Sequence, residues 1–353
     1  MSANAIAEAR RQIEICNACR YCEGYCSVFP AVARQRMFSD ADITELASLC
    51  HNCRGCFYAC QYAPPHEFQL NVPKALAEVR QESWQENAVP SALGKWFHER
   101  GVAVAVALVI GFGLLLYAAR SLPGDGEGFY AVMSHSAMVA IFAPAFLLPL
   151  FSIVFSLRRF WHSVEGESIS MSHVHGALKK AFTLKDLSGG HGEGCNFEDE
   201  DRFSSARRIH HHLVMYGFLA CFASTSVATI MHYVFGLEAP YGFWSLPKLL
   251  GVPGGIAICI GTVGLASLKL KADKQLGDAR VWGGEMAFVL LLLLVSASGL
   301  VLYWFGSSAW LEELLALHLG AVLTFFLLTP YSKMVHGFYR VAAYVRDEQK
   351  KAA

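Results

Sequence analysis

The sequence predicts an all-α protein that joins a small N-terminal helical domain to a bundle of six transmembrane helices. Three observations support this fold class. Of the 353 residues, 54% are hydrophobic and only 16% are charged. Apolar runs of about 20 residues, long enough to cross a bilayer, recur after residue 100. Eight of the 11 cysteines lie within residues 16–60, around a segment with helical spacing.

The N-terminal cysteines form two runs with one spacing, C-x2-C-x2-C-x3-C. The runs are Cys16, Cys19, Cys22, Cys26 and Cys50, Cys53, Cys56, Cys60. In two-cluster ferredoxins the first three thiolates of a run bind one [4Fe–4S] cluster and the fourth binds the other. We therefore predict an α-helical two-cluster ferredoxin domain over residues 1–95. Cluster 1 takes Cys16, Cys19, Cys22 and Cys60, and cluster 2 takes Cys50, Cys53, Cys56 and Cys26.

Two other chemistries fit these cysteines less well. Structural zinc sites use paired ligands rather than runs of four cysteines. A disulfide framework is disfavoured because the cytoplasm keeps thiols reduced. Between the runs, Asp42, Ile43, Leu46 and Leu49 have helical spacing, and residues 74–80 predict a further helix leading toward the membrane.

Residues 96–353 are predicted to form the transmembrane domain. Its apolar segments lie near 101–119, 129–157, 209–235, 250–268, 284–305 and 314–338. Lysine and arginine concentrate in the loop 158–208, in the connection 269–280 and after residue 339. The positive-inside rule then places both termini and both basic loops in the cytoplasm. We predict a multi-pass protein of the inner (cytoplasmic) membrane, in contact with lipid.

Histidines within the apolar segments are costly in a bilayer and therefore suggest function. His211 and His232 lie in the third segment, and His318 and His336 lie 18 residues apart in the sixth, on one face of a continuous helix. Facing imidazoles from different helices can bind a b-type haem. We predict an inner haem on His211 and His336 and an outer haem on His318 and His232, with His135 as the alternative to His232. One or two haems, a metal site without haem, or a proton relay remain open.

Several absences limit the chemistry. Basic and acidic residues balance at 29 each, so nucleic acid is not an expected partner. No G-x-G-x-x-G follows a strand, and no acid–base pair or nucleophile constellation is apparent, so we assign no catalytic residue. Cys195 lies alone in a loop rich in glycine and acidic residues. It either contacts a partner or a cluster, or is an ordinary loop thiol.

Two resemblances add to these predictions. The stretch from Leu317-His318 to Val335-His336 resembles the last helix of respiratory nitrate reductase gamma subunits, whose two histidines bind two different haems. The whole chain is similar to the tricarballylate-utilisation (citrate-utilisation) protein B family. The matching residues are both cysteine runs, Gly194-Cys195-Asn196, Arg207-Arg208, His211-His212, Tyr216-Gly217-Phe218, His232-Tyr233, Ala239-Pro240-Tyr241 and Leu246-Pro247.

The second resemblance implies a function. A family member reoxidises an FAD-dependent dehydrogenase that converts tricarballylate to cis-aconitate, and electrons pass through the clusters and haem to the quinone pool. On this interpretation the chain is the redox subunit of an oxidoreductase complex, without substrate chemistry of its own. The alternatives are a heterodisulfide reductase-like or other flavoprotein complex, a cluster-bearing membrane scaffold or sensor, and a tricarboxylate transporter. Transport is least favoured, because no arginine lies at a helix centre.

Overall fold

The fold is described from a computed structural model, which covers residues 3–119, 129–189, 192–198 and 200–352. Within these ranges the regular elements are helices, with one isolated antiparallel bridge between Cys195 and Ser204. The predicted all-α fold is confirmed. The N-terminal helices are α1 (Ala3–Cys19), α2 (Val28–Ala33), α3 (Asp40–Leu49), α4 (Gly55–Tyr58) and α5 (Val72–Asn87). The remaining helices are α6 (Ser91–Ala118), α7 (Phe129–Val132), α8 (His135–Ser163), α9 (Met171–Thr183), α10 (Ala206–Phe235), α11 (Leu246–Lys271), α12 (Trp282–Phe305), α13 (Leu311–Leu328) and α14 (His336–Ala352).

Local sequence signals begin the helices of the N-terminal domain. Ser39 and Asp42 form a capping box at the start of α3, in which each side chain accepts a hydrogen bond from the other residue's backbone N–H. Asn71 caps α5 by accepting a hydrogen bond from the Lys74 amide at 3.2 Å. Both predicted helices of this domain are therefore present. The first cysteine run begins at Cys16, within the last turn of α1, and the second begins at Cys50, directly after α3.

Six helices are long and apolar enough to span a membrane, so the chain is a membrane protein. They are Ser91–Ala118, His135–Ser163, Ala206–Phe235, Leu246–Lys271, Ala279–Phe305 and Leu311–Leu328. Helices α10 and α11 approach most closely at glycines. A Cβ atom added at Gly217 would lie 2.8 Å from the Gly254 carbonyl oxygen, so only a residue without a side chain fits there. Small residues allow the same backbone approach in other membrane bundles.

One element differs from the sequence prediction. The sixth segment was expected to run unbroken from 314 to 338, but α13 ends at Leu328. Pro330 follows two residues later and lacks a backbone N–H, so it cannot donate the next hydrogen bond of the helix. A 3₁₀ turn over Lys333–Val335 then leads into α14. His318 and His336 therefore lie on different helices, and their predicted placement on one face of a single helix is wrong.

Helix α14 packs against the N-terminal domain rather than extending the bundle. Tyr339 and Tyr344 are each 1% exposed and belong to the same hydrophobic core as Ile13 and Ile43. The ring of Tyr339 stacks on Trp84 with a centroid distance of 5.6 Å. The core of the N-terminal domain is thus completed by residues near the other end of the chain. We call the end of the bundle against this domain the domain-facing end, and the opposite end the far end.

Ion pairs reinforce the contact between α14 and its surroundings. Lys350 reaches Asp42 at 2.7 Å and also pairs with Glu45, both on α3. Asp347 is 1% exposed and pairs with Arg34 and, at 2.9 Å, with Lys180 of α9. Burial alone would raise the pKa of Asp347, but hydrogen bonds from lysines outweigh it and hold the pKa below its ordinary value. Asp347 therefore joins three helices as a carboxylate.

Candidate functional site

The structure gathers four predicted ligands of cluster 1 around one pocket. Cys16, Cys19, Cys22 and Cys60 all line a pocket of about 230 Å³. Burial and the neighbouring thiols raise the pKa of Cys16 and Cys22 to about 12. Both thiols would stay protonated at neutral pH without a metal, and a cation that binds thiolates would displace those protons. These residues fit a [4Fe–4S] cluster by donor type, number and common enclosure.

The other four cysteines form a second group. Cys26 lies close enough to Cys50 and Cys53 for their charges to affect its pKa. Cys56 is affected in the same way by Cys26, Cys50 and Cys53. Burial and these thiols raise the pKa of Cys26 and Cys56 well above the ordinary value. Cys56 also lines the cluster 1 pocket, so the two groups share a wall. In the described chain, no three His, Cys, Asp or Glu residues converge closely enough to hold a single metal ion.

Guanidinium groups from separate helices bind the cluster 2 loop. Arg80 of α5 and Arg340 of α14 both donate to the Cys50 carbonyl oxygen, at 2.8 and 2.9 Å. Arg207 of α10 donates to the Asn52 carbonyl oxygen at 2.8 Å. Burial lowers the pKa of Arg340 to about 10, which still leaves it charged at neutral pH. We call Arg54, Arg80, Arg207 and Arg340 the arginine cradle.

Cys195 lies against this same loop. Its side chain is 1% exposed, packs against Cys53 and donates a hydrogen bond from Sγ to the Leu187 carbonyl oxygen at 3.4 Å. The Asn196 amide donates to the Cys53 carbonyl oxygen at 3.0 Å. Arg54 fixes the segment from the other side by donating to the Phe197 carbonyl oxygen at 2.9 Å. Of the two interpretations of Cys195, contact with the cysteine runs agrees with its position.

A large cavity separates the cluster 2 loop from the bundle. Its volume is about 750 Å³, within the range of cofactor sites. His51, Asn52 and Arg54 border it on the side of the N-terminal domain, and His211 and His336 border it on the side of the bundle. Apolar side chains supply the deeper wall. They include Val214, Met215, Phe218, Leu265 and Phe288.

His211 and His336 meet across this cavity. Their ring centroids are 5.9 Å apart and their planes are nearly perpendicular, at 80°. The Nδ1 atom of His336 hydrogen-bonds with the Lys333 carbonyl oxygen, which leaves Nε2 for a metal. Burial and the Arg340 cation lower the pKa of His336 well below its ordinary value, so the imidazole is neutral as a ligand must be. The Nδ1 atom of His211 is buried and has no hydrogen-bond partner.

These features fit a haem. The volume, the apolar wall and two neutral imidazoles suit the macrocycle and its iron. Arg54, Arg80, Arg207 and Arg340 border the same cavity and provide cations for two propionates. His211 and His336 would supply the axial nitrogens.

The far end holds the remaining histidines differently. The His232 ring lies 4.2 Å from the ring of His135, centroid to centroid. His135 Nε2 in turn lies 3.0 Å from the Tyr233 hydroxyl. His318 Nδ1 instead lies 3.1 Å from the Ser298 hydroxyl of α12. The structure therefore pairs His232 with His135 and places His318 against Ser298, rather than joining His318 to His232.

Sequence reasoning missed an ion cluster at the domain-facing end. Glu285 of α12 pairs with Lys333 and, at 2.5 Å, with Lys269 of α11. Burial lowers the pKa of Lys333 to about 8 although Glu285 opposes the shift. All three side chains border the cavity. The signal available in the sequence was Glu285, an acidic residue at the start of the apolar segment 284–305, just after the basic connection 269–280.

The fold and the paired cysteine groups define a class: a membrane protein with an iron–sulfur, ferredoxin-like domain and an electron-transfer role. The chain belongs to the citrate utilization protein B family. The family Citrate utilization protein B matches residues 98–353, and its Fer4-like domain matches residues 9–86. Citrate utilization protein B of Escherichia coli is 45% identical over 346 residues, which cover 96% of this chain and 91% of that protein. No solved structure matches the chain.

Proposed function

We propose that this chain reoxidises an FAD-dependent dehydrogenase and passes the electrons through two [4Fe–4S] clusters and one b-type haem to quinone. The observation that carries the proposal is the cavity between the cluster 2 loop and the bundle. His51, Asn52 and Arg54 of the cluster 2 loop form part of one wall, and His211 and His336 form part of the other. This order supports a one-electron path from the N-terminal domain into the membrane.

The residues of this chain have separate tasks in the proposed path. The eight cysteines hold the clusters, which supply one-electron redox chemistry. His211 and His336 would bind the haem iron, and the arginine cradle would orient the propionates toward the N-terminal domain. Apolar residues of α10 and α12 keep water from the cavity. The far-end pair of His318 and His232, predicted for an outer haem, has no role in this one-haem proposal.

The membrane orientation belongs to the same proposal. Basic residues concentrate in 158–208 and 269–280, at the domain-facing end. This distribution supports a multi-pass protein of the inner membrane with both termini in the cytoplasm. A soluble flavoprotein would then reach the cluster domain directly.

The substrate follows from the resemblance and from the relative's name. We propose a partner that oxidises a tricarboxylate, tricarballylate in the first instance, with citrate utilization as the metabolic setting of the named relative. The carbon chemistry would take place on the partner, because no flavin-binding motif was found in this sequence. A different flavoprotein donor is the principal alternative.

The test begins with the purified protein in detergent. A dithionite-reduced minus oxidised spectrum, with iron and haem determined on the same sample, should give a b-type α-band, about eight non-haem irons and one haem per chain. Eight irons without haem after haem-replete expression would contradict the cytochrome assignment. Adding the flavoprotein, tricarballylate and a soluble quinone should then produce quinol. Quinol formation with another flavoprotein but not with this one would exclude the tricarballylate partner.

A further inference from the structure

The two predicted cluster sites differ in the charge around them. The described residues that line the cluster 1 pocket include no charged side chain. The cluster 2 loop instead accepts hydrogen bonds from Arg80, Arg207 and Arg340. Arg80 is 7% exposed, so water screens its charge only weakly. The positive potential is therefore concentrated at cluster 2.

A fourth guanidinium belongs to the same surroundings. Arg54 lies within the cluster 2 run and is 4% exposed. Its carbon Cζ lies 4.5 Å from the centre of the Phe197 ring, and that of Arg207 lies 4.1 Å from the same ring. The two cations thus contact one ring at the edge of the loop. Burial lowers the pKa of Arg54 to about 10, and it remains charged at neutral pH.

Reduction of a [4Fe–4S] cluster adds one negative charge. Nearby cations and hydrogen-bond donors to the sulfurs stabilise the reduced form and raise the potential. Burial acts in the opposite direction, because a low dielectric disfavours added charge. The same low dielectric strengthens the attraction between that charge and a buried cation. Two haem propionates would offset two of the four guanidinium charges around the cluster 2 loop, and the remaining positive charge opposes the effect of burial.

Cys195 places a second thiol beside one ligand. Its side chain packs against Cys53, and its Sγ donates to the Leu187 carbonyl oxygen at 3.4 Å. Once Cys53 binds iron as a thiolate, that charged sulfur is the stronger acceptor, and the Cys195 S–H turns from Leu187 to it. A donor to a cluster sulfur stabilises the more negative, reduced state. Cys195 acts through Cys53 and is a positioning residue rather than a ligand.

We propose that Cys195 and the arginine cradle hold cluster 2 at a higher reduction potential than cluster 1. The inference rests on the proposed function, because it requires both clusters. One electron moves from reduced cluster 1 to oxidised cluster 2, and no bond is made or broken. Electrons that enter at cluster 1 therefore collect at the cluster beside the haem cavity.

The test is an EPR-monitored redox titration of the full chain in detergent. The wild type should give two separate midpoint potentials. Arg207→Gln keeps a hydrogen-bond donor and removes the charge, and it should lower only the higher potential. We expect at least a tenfold change in that cluster's reduction equilibrium, which is about 59 mV for one electron.

The Cys195 variants test the thiol separately. Cys195→Ala should lower the higher potential and change its EPR line shape, whereas Cys195→Ser, which retains a donor, should shift it less. Cys259→Ala, in the membrane helix α11, is the matched control and should leave both potentials unchanged. Equal wild-type potentials, or variants that shift the lower potential, would overturn the inference. Absence of iron from the wild type would overturn the proposed function as well.

Discussion

The two ends of the bundle hold histidines in opposite ways. At the domain-facing end, His211 and His336 border a cavity of about 750 Å³ that also contains buried cations. At the far end, His135 stacks beside His232, and the neighbouring Tyr233 is 62% exposed. The domain-facing end thus has a cavity, buried charges and a His336 ring held through its Nδ1 atom. At the far end, His135 instead contacts the side chains of His232 and Tyr233 directly. Of the two histidine pairs, only the one at the domain-facing end has surroundings that would accommodate a cofactor.

The strongest test of this comparison is haem content. His211→Ala and His336→Ala should each abolish the b-type α-band, because each removes one of the two imidazoles that would hold the haem iron. His135→Ala and His232→Ala are the matched changes at the far end and should retain it. The measurement is haem per chain after purification, with iron content as a check on the clusters. Loss of haem in His232→Ala together with its retention in His336→Ala would place the haem at the far end instead.

The next effect concerns how firmly each end is packed. Tyr339 is 1% exposed and stacks on Trp84, so Tyr339→Ala should destabilise the N-terminal domain by about 3–5 kcal/mol. Tyr233→Ala at the far end should cost less, about 1 kcal/mol, because it removes the hydroxyl that lies 3.0 Å from His135 Nε2 but no buried ring. Unfolding in urea, followed by limited proteolysis of residues 1–90, measures both. Equal effects would mean that the core around α14 contributes little.

A pH-dependent effect should follow from Asp347. Its pKa is lowered in the folded state, so it contributes stability above its unfolded pKa and loses this contribution as pH falls through the folded value. At pH 7, Asp347→Asn should cost about 2 kcal/mol, because Arg34 loses its carboxylate whereas Lys180 keeps Glu348 at 2.8 Å.

Below about pH 4 the difference in unfolding free energy between wild type and this variant should shrink, because the carboxyl of the unfolded wild type is protonated first and that of the folded state follows at its lowered pKa. Urea unfolding at a series of pH values checks this trend. Asp40→Asn is the control, since that carboxylate is 70% exposed and should contribute little. A difference that stays constant down to pH 3 would exclude Asp347 as the titrating group.

The smallest effect is expected at His318. Ser298→Ala removes the hydroxyl that lies 3.1 Å from His318 Nδ1 and should cost about 1 kcal/mol of stability. Haem content should not change, because this proposal gives His318 no iron. Thermal unfolding and a haem assay on the same preparation separate the two results. A lower haem-to-protein ratio in this variant would restore the predicted outer haem.

The sequence was sufficient for the fold because its signals are local. Hydrophobic run length predicted six spans, and cysteine spacing predicted a compact helical domain before them. The error at the sixth segment was also local, since Pro330 marks the break and was available in the sequence. Counting helical turns across a proline gave His318 and His336 a shared face that they do not have.

The electrostatic environment could not be predicted in the same way. Arg80, Arg207 and Arg340 lie more than 100 residues apart along the chain, yet the first and last share one carbonyl oxygen of Cys50. No periodicity or motif connects such positions, because their proximity depends on how α5, α10 and α14 pack around the loop that follows α3. The contact between Cys195 and Cys53 is equally non-local. Charge around a buried site is a tertiary property, whereas the ligands themselves can be read from spacing.

The position of α14 also sets an order of events during biosynthesis. Tyr339 and Tyr344 enter the core formed with Ile13 and Ile43, but the ribosome makes them only after all six spans. N-terminal domains generally fold first as the chain emerges. Here residues 3–87 must wait with an incomplete core until α14 arrives. Because α14 begins with His336, the step that closes the N-terminal core also delivers the second imidazole to the cavity. The synthesis of α14 thereby links the maturation of the N-terminal domain to that of the cavity.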